Sequence, residues 1–111
     1  MPQAASFGVT ARLDYEVGYP ATVNDPDRTA FAAEVARESV GDAGVNADAG
    51  REMGAEDFSY LLEHRPGAYL FIGNGESAGL HHPAYDFNDD TAPYGASFFA
   101  RVVERALPVT G

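Results

Sequence analysis

FGVTARLDYEVGYP, residues 7–20, alternates without a break. Phe7, Val9, Ala11, Leu13, Tyr15, Val17 and Tyr19 share one parity, and Gly8, Thr10, Arg12, Asp14, Glu16 and Gly18 the other. Successive side chains of a β-strand point to opposite faces, so the pattern predicts one strand with an apolar and a solvated face. It is roughly twice the usual length of five or six residues. Pro20 ends it, having no N–H to give to a ladder. A lone strand of this kind leaves N–H and C=O groups unpaired on both edges. The rest of the chain must supply its companions, or the strand must find them elsewhere.

The following segments supply few. NDPDRTAFAAEVARESVGDAG (residues 24–44) has helix punctuation: Asn24 or Asp25 as cap, Pro26 in the first turn, Asp27 beside the dipole, and Gly41 or Gly44 as the stop. Its buried side is expected to carry Phe31, Val35 and Ser39 with Ala32, Ala36 and Val40. After a polar, Gly-rich loop, AEDFSYLLEHR (residues 55–65) predicts a second helix with Glu56 and Asp57 in its first turn and Phe58, Leu61 and Leu62 as its apolar stripe. AYLFIG (residues 68–73) reads as a short strand covered on both faces. APYGASFFARVVERALP (residues 92–108) predicts a last helix with Phe99, Val102, Val103, Ala106 and Leu107 inward, ended by Pro108. The order β-α-α-β-α leaves the long strand without neighbours. The expectation is a part of a larger α/β architecture, or one that closes by self-association.

Bulk properties narrow the class of partner. The 111 residues fit one ordinary domain, with 45% hydrophobic and 22% charged residues. The formal net charge of −10 repels phosphate backbones and anionic lipid surfaces, so neither nucleic acid nor membrane is an expected partner. With no cysteine there is neither a disulfide framework nor a thiolate metal site. MPQAASFGVT at the start lacks the basic and apolar regions of a signal peptide. A cytoplasmic protein is the expectation.

Chemistry concentrates in GLHHPAYDFNDD, residues 79–90. Zinc takes three or four N, O or S ligands. Neighbouring residues in extended backbone point apart, so His81 and His82 cannot both grip one ion. Local sequence alone favours a surface loop with two titrating imidazoles, because no other His or Cys lies at ligand spacing. The acids from Asp86 to Asp90 have the chemistry to orient an imidazole, but Asp89, Asp90 and Thr91 are also placed to cap the last helix, and capping is the preferred reading. Glu56 and Asp57 suit a general base near a metal. Their place at a helix start accounts for them without catalysis. The glycines of GNGESAG, Gly73 and Gly75 among them, can bring backbone N–H groups to an anion. The stretch matches neither dinucleotide-binding nor P-loop patterns, and NG is also a hairpin turn. Ser59 and Ser77 lack an evident His and acid arrangement for nucleophilic catalysis.

Three motifs in order, GYPATVND, MGAEDFSYLLEHRPGAYLFIGNG and LHHPAYDFNDDTAPYGASFF, carry a resemblance. Across about residues 7–107 the chain resembles the C-terminal part of the metal-dependent amidohydrolases related to hippurate hydrolase, a family similar to zinc carboxypeptidases. The resemblance implies a partial zinc-peptidase-like α/β sandwich preceded by one long strand of a lid or dimerisation domain. Residues 1–20 would then be the last strand of the lid and residues 21–111 the C-terminal part of the catalytic domain. It implies an N-acyl amino acid substrate, a pair of divalent metals (zinc, manganese or cobalt) and His81 as the metal ligand of the LH-x-P motif. His82 takes the variable position after it, and Glu56 and Asp57 support the site from behind. The family's other ligand motifs, its paired glutamates with the general base and its mid-chain histidine have no counterpart here. The chain alone is therefore expected neither to hold metal tightly nor to hydrolyse amides. It would act beside an N-terminal portion, or as a homodimer. Two other classes compete: a non-catalytic assembly module that dimerises through its long edge strand, and an independent small metal-binding protein with ligands from several chains.

Overall fold

Four α-helices lie along residues 2–109, the part of the chain that the computed structural model describes. They are α1 (Pro2–Ser6), α2 (Pro26–Val40), α3 (Phe58–His64) and α4 (Ala92–Ala106), with 3₁₀ turns at Asp42–Gly44 and Asp89–Thr91. The punctuation of α2 follows its sequence. Asp25 Oδ1 accepts the Arg28 N–H at 2.9 Å, Pro26 opens the first turn, and Gly41 at φ 74° closes the helix by donating to Arg37 O. Of the two candidate caps, Asp25 is the one used. Helix α1 was not expected from sequence. Gly8 at φ 66° ends it, its N–H donating to Ala5 O, and the alternating segment begins there.

Two differences from the expected helices are informative. Glu56 and Asp57 precede α3 rather than forming its first turn. Its fully buried residue is Ser59, whose hydroxyl donates to Glu56 O at 2.7 Å, while Leu61 of the expected stripe is exposed. In α4 the expected inward residues Phe99, Val103 and Leu107 are 69%, 57% and 73% exposed. The half-buried positions are Gly95, Phe98 and Val102, spaced three and four apart as one helical face, so of the expected inward residues Val102 is the one partly covered. Arg101 and Arg105 bridge α4 to α2, Arg105 pairing with Glu34 and Glu38 and Arg101 with Glu38. Helix α2, which contacts α4, buries Ala32, Ala33 and Val35. Phe31, Ala36 and Ser39 are only partly covered and Val40 is exposed.

Among the described residues no segment is a β-strand. Between Thr10 and Asn24 no backbone N–H finds a backbone acceptor, and Phe7 and Val17 are 78% and 81% exposed. Leu70, Phe71 and Ile72 are likewise exposed. The physical reason is pairing. A strand has no internal hydrogen bonds, so alternation marks a segment that can be one without giving it a partner. The accessible surface is 9545 Å², against roughly 5,900 Å² for a compact monomer of 11.8 kDa. The radius of gyration is 20.4 Å, against about 13 Å for a compact chain of this length.

Residues 67–69 are nonetheless fixed to the entry of α2. Asp25 N donates to Gly67 O at 2.9 Å. The Asn24 carboxamide donates to Tyr69 O at 2.9 Å and accepts Tyr69 N–H at 2.8 Å. Tyr69 then packs its ring against Phe58 and Phe71, with centroids 5.4 and 5.3 Å apart. This tie places α3 and the 73–91 loop relative to α2.

Candidate functional site

Residues 74–88 return on themselves through one carboxamide. Asn74 Nδ2 donates to Asp86 O at 2.7 Å and Asn74 Oδ1 accepts the Asn88 N–H at 2.8 Å. Ser77 Oγ adds a bond to Asp86 O at 3.2 Å. Gly75 at φ 75° supplies the left-handed residue that this reversal requires. Gly73 has no such need, since a Cβ there would meet open space. At the far end Asn88 caps the 3₁₀ turn Asp89–Thr91. Its side chain accepts Asp90 N–H at 3.0 Å, and the Thr91 hydroxyl donates to Asn88 O at 2.8 Å. Of the residues expected to cap the last helix, Asp89, Asp90 and Thr91, it is Thr91 that takes the N-cap position of α4, without a side-chain capping bond.

The two histidines sit inside this loop in different states. His81 has φ 66°, the one non-glycine residue with positive φ among the described residues. Left-handed backbone costs an L-residue about 1–2 kcal/mol, and such outliers collect at functional sites. The extended geometry assumed for the pair from sequence does not hold, because residues 79–82 form a turn with His82 N donating to Gly79 O at 3.1 Å. His82 is also tied by its ring: Nδ1 accepts the Ala84 N–H at 3.1 Å, leaving Nε2 free. The His81 ring is exposed and takes part in no hydrogen bond among the described residues. Of the two, His81 presents both ring nitrogens.

Glu56 is committed elsewhere. Its Oε1 accepts the Phe58 N–H at 3.2 Å and its Oε2 accepts the Tyr69 hydroxyl at 3.0 Å. The Phe58 N–H, then the Tyr69 hydroxyl, hold the carboxyl below its ordinary value, and the same bond raises the Tyr69 phenol. A lowered carboxyl contributes stability above its unfolded pKa of about 4.3, and that stability is lost as pH falls through the lower folded value. The raised phenol contributes below about pH 10, and its share is lost as pH rises through the folded value. Urea midpoints measured below pH 5 are expected to fall less steeply in Glu56→Gln and Tyr69→Phe than in the wild type. Equal slopes in all three would show that the bond carries no acid-linked stability. Asp57 is exposed and makes no capping bond.

A divalent ion of the kind the resemblance implies needs at least three protein donors. Among the described residues no three His, Cys, Asp or Glu side chains converge on one point. Neither of two shallow crevices, about 230 Å³ beside Glu38 and Tyr94 and about 440 Å³ beside Asn24 and His64, includes His81. The donors among the described residues do not by themselves fit a resident metal.

Residues 5–105 match the model of peptidase family M20/M25/M40. The chain belongs to that family. Among its curated M20/M25/M40-like relatives, hippurate hydrolase of Campylobacter jejuni is 30% identical over 94% of this chain and 27% of its own length. N-acetyl-L-cysteine deacetylase of Bacillus subtilis is 32% identical over 86% of this chain and 22% of its own. IAA-amino acid hydrolase ILR1-like 2 of Arabidopsis thaliana is 35% identical over 79% of this chain and 21% of its own. The chain therefore spans about a quarter of the length of these M20/M25/M40 relatives. No solved structure matches it. No helix among the described residues is long and apolar enough to cross a membrane.

The sequence singled out His81, His82, Glu56, Asp57, Gly73 and Gly75. The structure brings the histidines into the loop that Gly75 helps to turn, and leaves Glu56 with Phe58 and Tyr69. Sequence reasoning missed Asn74, and named Asn24 only as a candidate helix cap, not as the partner of Tyr69. GNG reads as a turn, and nothing local shows that the asparagine between its glycines bonds to residues 12 and 14 positions away.

Proposed function

We propose that this chain corresponds to the C-terminal part of a metal-dependent amidohydrolase acting on N-acyl amino acids, with His81 as the metal ligand it contributes. The observation that carries the reading is the left-handed backbone of His81, a conformational cost located in the LH-x-P motif. The names of the curated relatives support the substrate class. The ion, zinc, manganese or cobalt, belongs to a site completed by donors outside this sequence, as does the general base. Residues 1–20 act as the last strand of a lid-like domain and residues 21–111 as part of an α/β sandwich. Strands at residues 7–19 and 68–73 form when sheet neighbours pair with them.

With added zinc, manganese or cobalt, the chain alone is expected to cleave hippurate no faster than a His81→Ala control. Turnover clearly above that control refutes the reading. The exposed apolar parity of Phe7, Leu13, Tyr15 and Val17 favours a second one, an assembly module that dimerises by strand pairing. A dimer in gel filtration that Leu13→Lys converts to monomer supports that module, and a monomer of the wild type excludes it.

A further inference from the structure

We infer that Asn74 is the positioning residue of the His81 loop, an inference that rests on the proposed role of His81. A side-chain carboxamide carries the same donor and acceptor pair as a peptide. Asn74 addresses the carbonyl of Asp86 and the N–H of Asn88, the two groups that flank Phe87. It thereby acts on residues 86–88 as a neighbouring strand would, and closes a loop of which His81 is part. Asn24 does the same to Tyr69 at the entry of α2, so this device is used twice where the described residues have no ladder.

The loop needs such a closure. Residues 75–87 bury no side chain. Their other ties are the turn bonds of His82 and Tyr85, the ring bond of His82 and the Ser77 hydroxyl. A left-handed His81 persists only where the surrounding chain over-determines it. The two Asn74 bonds fix where the loop leaves and returns, and so limit the paths open to residues 79–82. They act on His81 through the backbone without touching its ring.

The test is NMR relaxation on the full chain, comparing wild type with Asn74→Ala, Asn74→Asp and Asn24→Ala. In Asn74→Ala the backbone order parameters of residues 79–86 are expected to fall from near 0.85 to below about 0.6. The His81 Cα and Cβ shifts should leave the left-handed range together with them. Asn74→Asp keeps the acceptor for Asn88 N–H and loses the donor to Asp86 O, so it should lie between the two. Asn24→Ala should leave residues 79–86 as they are. Unchanged order and unchanged His81 shifts in Asn74→Ala overturn the inference. So does a loss of order that spreads to α2 and α4, which would make Asn74 a residue of general stability. None of these readouts involves metal or turnover. Failure of His81 as a ligand would appear instead as hydrolysis, by a complete enzyme carrying residues 5–105, that His81→Ala leaves unchanged.

Discussion

Transplanted into the matching segment of the Campylobacter jejuni hippurate hydrolase, residues 5–105 are expected to sustain hippurate cleavage, and His81→Ala to lower kcat/KM at least about a hundredfold. Residues that merely orient a metal ligand already cost 10–100-fold when removed, and loss of the ligand itself costs more. His82→Ala is expected to stay within about tenfold, because its ring is engaged with Ala84 through Nδ1 and its loss perturbs the turn rather than the donor. Metal content should fall with activity in His81→Ala and persist in His82→Ala. A soluble, metal-loaded transplant without turnover, or one indifferent to His81, would sink the proposed function. The contrast between two adjacent imidazoles is the discriminating feature, since both are exposed and of the same chemical type.

Replacing Val35 is expected to have the largest effect on the fold. Val35 is 0% exposed and, with Ala32 and Ala33, makes up the buried apolar residues of the described chain. Truncation to alanine removes two buried methyls and leaves a cavity, costing about 2 kcal/mol. Native domains hold only about 5–15 kcal/mol in total, and a core this small leaves little reserve. Val35→Asp places an unpaired carboxylate there, so the helical circular-dichroism signal should collapse and the α2–α4 pair separate. Val103→Asp is the informative companion. Its site is 57% exposed, so its effect on this chain should remain within about 0.5 kcal/mol. Equal damage from both would show that α4 turns its Val103 side inward after all. The ion pairs of Arg101 and Arg105 with Glu34 and Glu38 are surface contacts, each worth about 0–1 kcal/mol, and cannot replace Val35.

Much of the helical layer was legible in the sequence because its determinants act over short range. The Asp25 cap and Gly41 at the end of α2 each bond within four residues, and Pro26 at its start acts through its own fixed φ. The orientation of α4 was less legible. Its apolar residues cover more than one face, and Phe99 and Val103 compete with Phe98 and Val102 for the same pattern. The period of the sequence offers both faces, and only the position of α2 selects one.

The candidate site divides in the same way. His81 was singled out through motif resemblance, while local spacing favoured a bare surface loop. Its left-handed backbone, the ring bond that occupies His82 and the two Asn74 bonds had no sequence signal. Glu56 was noticed for its charge, but its Tyr69 partner lies 13 residues away.

By itself the sequence determined the family, the start and end of α2 and the alternation of residues 7–20, because motifs, caps and periodicity are written within a few residues. The tertiary structure alone decided which carboxamides bond to distant backbone, which imidazole stays free and which side of α4 meets α2. Those outcomes depend on groups far apart in the chain, and a hydrogen bond between distant residues has no local signature until folding brings its donor and acceptor within about 3 Å.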